Sequence, residues 1–175
     1  MSANAMPGII KAYVRYVDAV NRVLGYFVMY LTLVMMGLLL FASLTRYVFN
    51  VPFVWIIEMA QFLMAAYYIL GGGYSMQLDA HVRMDVLYER WRPRTRAFVD
   101  SLTAFFLVFY LALMVRGGFA SSAYSIKYNQ TNYSAWAPPM APIKIIMTVG
   151  IALMLLQAIS IFFKDVAKFT GREIA

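Results

Sequence analysis

The sequence contains no cysteine and one histidine, His81. The first absence excludes a disulfide framework and thiolate metal or iron–sulfur sites; the second removes the pair of axial imidazoles that a membrane cytochrome uses. No cofactor is expected. Charge is scarce as well: Asp, Glu, Lys and Arg make up 13% of 175 residues, and eight of those residues are acidic. So little polar surface does not cover a soluble domain of this length. In its place stand 63% hydrophobic residues and a mean hydropathy of +0.69. Lipid is the solvent this composition fits. The net charge of +7 would suit nucleic acid in a soluble protein, but in a multi-span chain it reflects basic residues collected in loops on one side of the membrane, and no nucleic-acid partner is expected.

The apolar residues come in runs of membrane length. Twenty uncharged residues separate Glu58 from Asp79, and twenty-three separate Arg22 from Arg46. A helix needs about 20 residues to cross a hydrocarbon core of roughly 30 Å. Four transmembrane helices are expected, at 23–45, 53–78, 97–115 and 143–163, in a single all-α integral membrane domain spanning 1–175. Residues 1–8 lack the basic-then-apolar design of a cleavable signal and are expected to be retained. Over 9–22, Ile10, Tyr13, Val14, Val17 and Val20 form an apolar stripe, opposite Lys11, Arg15, Asp18 and Arg22. That pattern predicts an amphipathic helix lying at the membrane surface, or docking a partner protein. Asn50 and Pro52 favour a tight turn between the first two spans. The segment 117–144, rich in Gly, Ser, Asn and Tyr, reads as the longest connection. Its Asn129 and Asn132 glycosylation patterns are too short to carry weight.

Several residues stand out as candidate interface or structural positions. Glu58 follows Trp55 near the start of the second span, where a carboxylate needs a reason. It is either a helix-start acid favoured by the macrodipole and paired with Arg46, or a contact for an ion, proton or partner. Gly71, Gly72 and Gly73 weaken a helix, so their value is close backbone approach to another helix. A phosphate-cradling loop is excluded, because the Lys-Ser/Thr ending is missing and the glycines lie in an apolar run. Between 79 and 96, His81 and Asp85 lie four apart on a short amphipathic helix expected to end before Pro93. Two ligands make a weak metal site, so a hydrogen-bonded interfacial pair is the preferred reading. No catalytic constellation is present.

Eleven of the fifteen basic residues fall in the N-terminal segment, the 79–96 loop and the C-terminal tail. The asymmetry predicts that both termini are cytoplasmic.

In their order and spacing, these motifs resemble a known family. Arg46-Tyr-Val-Phe closes the first span, Trp55 and Glu58 open the second, and the glycines are followed by His81-Val-Arg-Met-Asp85. The pattern, from about Leu24 to Phe163, is similar to the DctQ-like small membrane subunit of tripartite ATP-independent periplasmic (TRAP) transporters. Gln77, where the family often has a basic residue, and the unbroken glycine triplet are departures. The resemblance implies a non-enzymatic multi-pass protein of the bacterial inner membrane. Its implied partners are a large multi-span TRAP membrane subunit, which carries cation-coupled uptake of carboxylate-bearing solutes, and a periplasmic substrate-binding protein. Membrane lipid surrounds them. The alternative from the residues themselves is a small proton-coupled exporter working through Glu58.

Overall fold

The computed structural model describes residues 8–50, 53–78 and 93–169. Within them the protein is helical: α1 Gly8–Phe49, α2 Val54–Gln77, α3 Pro93–Lys127 and α4 Ala141–Phe169. Each is long and apolar enough to cross a membrane, giving the all-α, four-span architecture expected from composition. The short helix expected around His81 and Asp85 lies outside the described residues.

The amphipathic stretch 9–22 and the span 23–45 form one helix without a break. No proline interrupts Gly8–Phe49, and the glycine nearest the expected boundary, Gly25, is buried beneath the Tyr74 ring of α2. That packing holds the backbone straight where glycine alone would loosen it. Val14 and Val17 of the apolar stripe are buried within the protein. The helix stops at Asn50, whose φ of 53° is the left-handed conformation of a C-terminal cap. Pro93 and Pro142 occupy first turns of α3 and α4, where a missing N–H costs nothing.

The third helix departs most from expectation. Instead of ending at 115 it runs to Lys127, so the connection to α4 is 128–140, not 117–144. Gly118 and Ser122 look like loop residues, but they are the seam against α4. A Cβ on Gly118 would lie 2.8 Å from the Thr148 hydroxyl, and Ser122 Oγ sits 3.0 Å from the same oxygen. The remaining loop is folded. Gln130 Oε1 accepts hydrogen bonds from Ser125 Oγ at 2.9 Å and Lys144 Nζ at 2.7 Å, and the Met140 amide donates to Gln130 O at 2.8 Å.

The helices pack as α1 on α2, α2 on α4 and α4 on α3, with a smaller contact between α1 and α4. They therefore form a row in the order 1-2-4-3, with α2 and α4 inside and α1 and α3 at its edges. Neighbouring contacts fix the levels. α2 and α4 are parallel, with Ile69 beside Gly150 and Gly72 beside Met154. α3 is antiparallel to α4, with Leu111 and Ala158 sharing one core cluster. Large side chains such as Phe27, Leu33, Leu40, Phe105, Phe109 and Tyr110 face outward, a surface only lipid or another membrane protein accommodates.

Candidate functional site

The polar residues of an apolar bundle are the places to look for function, since each needs a partner. They gather in three places: where α1 begins and α4 finishes, beside the glycines of α2; at the turn between α1 and α2; and at the α3–α4 seam of Ser122, Ser125 and Thr148 described above.

At the first, Asp18 of α1 accepts from Lys164 Nζ at 2.7 Å and from Gln157 Nε2 at 2.9 Å. Gln157 Oε1 in turn accepts from Asn21 Nδ2 at 2.7 Å. Asn21 and Gln157 are wholly buried. One turn away, Tyr13 donates to the Leu156 carbonyl at 3.0 Å and its ring meets Phe163 edge-on. A chain of charge-assisted bonds in an apolar setting locks the start of α1 to the end of α4. Sequence reading passed over this network. Asp18 looked like one member of a charged face, and Asn21 fell just outside a span. Gln157 and Ser160 carried a usable signal as uncharged polar residues inside a nineteen-residue apolar run, but the partners of Gln157 are more than a hundred residues away and the Ser160 hydroxyl has none.

The glycine triplet lies next to the network. Gly71 faces Val28 of α1, Gly72 faces Met154 of α4, and Gly73 faces Asn21, whose Oδ1 would be 2.6 Å from an added Cβ. The three thus sit at the junction of α1, α2 and α4 of this same chain. They are not equivalent. Met154 ends in a flexible thioether that gives way, whereas Asn21 is held by Gln157.

At the α1–α2 turn, Arg46 and Trp55 are exposed and Glu58 is 6% exposed. No ion pair joins Arg46 to Glu58 among the described residues, so the expected pairing is not made. Glu58 Oε2 is buried without a hydrogen-bond partner. By the register of α2 on α4, Glu58 stands level with about residue 140, just beyond Lys144 at the end of the apolar run. Thr45, also buried, spends its hydroxyl on its own helix, donating to Phe41 O at 2.9 Å. His81 and Asp85 lie outside the described residues. Among those that are described, no three His, Asp or Glu side chains gather as a metal site.

Four spanning helices, with most interior polar groups spent on one another, define a multi-pass membrane protein built to hold its shape. The chain matches the family of tripartite ATP-independent periplasmic transporters, DctQ component, over residues 35–168. It belongs to that family: it is the small membrane subunit of a TRAP transporter, an inner-membrane protein and not an enzyme. No curated protein matches the chain. The match begins inside α1, so Asp18 and Asn21 precede it, whereas Gln157 and Lys164 fall within it.

Proposed function

We propose that this subunit is the scaffold of a three-part uptake system. It holds a large multi-span transport subunit in the inner membrane, and that subunit receives a carboxylate-bearing solute from a periplasmic binding protein and moves it with a coupling cation. The family match carries this reading. The continuity of the helices supports it: α1, α2, α3 and α4 run unbroken through their apolar stretches, whereas secondary transporters build solute sites from unwound, discontinuous helices. Both termini and the loop bearing His81 and Asp85 face the cytoplasm, as the excess of basic residues there favours. Arg46, Trp55 and Glu58 lie at the periplasmic side, where the exposed Arg46 and Trp55 are open to a partner.

Reconstitution tests the scaffold. Alone in liposomes the chain moves no carboxylate solute under a sodium or proton gradient; with the large subunit and binding protein, uptake appears. Transport by the chain alone would falsify the proposal. Orientation is read by thiol labelling of Arg94→Cys and Asn129→Cys, the first from the cytoplasm and the second from the periplasm; periplasmic labelling at 94 reverses the topology. The unpaired Glu58 oxygen keeps one competing reading in play, a proton-coupled exporter. Glu58→Gln abolishes transport in an exporter, whereas a scaffold with this substitution assembles and retains much of its uptake.

A further inference from the structure

Arg116 is the sole charged residue between Leu102 and Ile126. Sequence reading set it at the end of a span, but α3 continues eleven residues past it. Its depth follows from the seam with α4. Leu111 shares a core cluster with Ala158, and Ser122 and Gly118 both meet Thr148. Because the helices are antiparallel, these contacts place Arg116 level with residues 152–154 of α4. There α4 carries no charge from Lys144 to Lys164, a run that at 1.5 Å per residue matches a hydrocarbon core of about 30 Å. Arg116 is thus near the middle of that run, about 15 Å from either end, farther than a side chain reaches by snorkelling.

Its direction is equally defined. The buried side of α3 is the stripe Leu111, Ser122 and Ser125. Arg116 lies well round the helix from it and is exposed, on the same side as the exposed Phe109 and Leu113. No described residue hydrogen-bonds or ion-pairs with it. An arginine at this depth is tolerated where it faces a carboxylate or a water-filled cavity, not acyl chains. A second copy of this chain supplies no such carboxylate. All eight of its acidic residues lie outside the charge-free runs, and Glu58, in the first turns of α2, is level with about residue 140.

We propose that in the assembled transporter the Arg116 face of α3 is covered by a helix of the large membrane subunit that presents a carboxylate at the same depth. The identity of that partner rests on the function proposed above. The guanidinium forms a charge-assisted, bidentate pair with it, and the aromatic and aliphatic side chains around Arg116 seal the pair from lipid. α3 is suited to this role because it touches the rest of its own subunit through α4 alone among the substantial helix contacts, leaving most of its circumference for another protein.

The test uses the full chain co-expressed with the large subunit. Arg116→Leu leaves the melting of the isolated subunit in detergent unchanged or raises it, because an outward charge is removed. Association with the large subunit weakens on the order of 30-fold or more, the loss expected when one side of a desolvated ion pair is truncated. Arg116→Lys keeps the charge but not the planar fork, so association falls by less than in Arg116→Leu. A photo-crosslinking side chain at Leu113 captures the large subunit, and one at the buried Leu111 does not. Undiminished association of Arg116→Leu, in a system where the wild-type complex forms, overturns this inference and leaves the scaffold reading intact. If the wild-type subunit binds no large subunit, both fall. A complex of normal strength whose uptake shows a raised KM assigns Arg116 to the solute and overturns the proposal.

Discussion

The two membrane faces of the bundle treat their polar residues differently. Where α1 begins and α4 finishes, Asp18, Asn21, Gln157 and Lys164 answer one another across two helices. At the α1–α2 turn, Glu58 is buried, yet one carboxylate oxygen has no partner and no ion pair joins it to Arg46. A buried polar atom without a partner costs about 1–3 kcal/mol, and both faces carry some of that cost: Glu58 Oε2 at one, Asn21 Oδ1 and Ser160 Oγ at the other. What differs is the cross-linking, which ties α1 to α4 at the first face and leaves Glu58 unlinked at the second.

Five substitutions test that contrast, in falling order of effect on the isolated subunit. Gln157→Leu removes the hub of the network and strands Asn21 Nδ2 and Asp18 Oδ1, so stability toward SDS unfolding drops by about 2–3 kcal/mol. A loss within error erases the distinction between the faces. Gly73→Ala sets a methyl against the held Asn21 amide and costs about 1–2 kcal/mol by the same assay. Its neighbour, Gly72→Ala, presses on the pliable Met154 and costs less; equal losses mean Asn21 is not fixed by Gln157. Lys164→Met breaks an ion pair that is partly open to solvent, worth about 1 kcal/mol or less and weakening as salt is raised. Glu58→Gln has the smallest effect, below about 1 kcal/mol, because no internal partner is lost. A large destabilisation there shows that Glu58 is as much part of the frame as Asp18.

The spans were legible in the sequence because charge-free runs of twenty residues have no other common use. Helix ends were less so. Arg116, followed by Gly117, Gly118, Ser121 and Ser122, reads as the close of a span, yet Gly118 and Ser122 let α3 approach Thr148 as it continues to Lys127. Arg22 likewise reads as a boundary, but nothing local bends the chain there. Gly71, Gly72 and Gly73 announced a close helix contact from their type alone; which helices they meet required the fold. Asp18, Asn21 and Gln157 were out of reach for a different reason. Their meaning is carried by pairing between positions 18 or 21 and 157, and no local pattern encodes it.

The order of the row also bears on how the protein is made. α3 emerges from the ribosome before the one helix it substantially packs on, and α4, the last to appear, must settle between α2 and α3. Until then the membrane holds two pieces not yet packed together, an α1–α2 hairpin and a solitary α3. The final helix is the keystone of biogenesis: its arrival closes the Asp18 network on one side and the Ser122–Thr148 seam on the other. A chain that stalls in the 128–140 loop leaves quality-control proteases two loose fragments instead of a subunit.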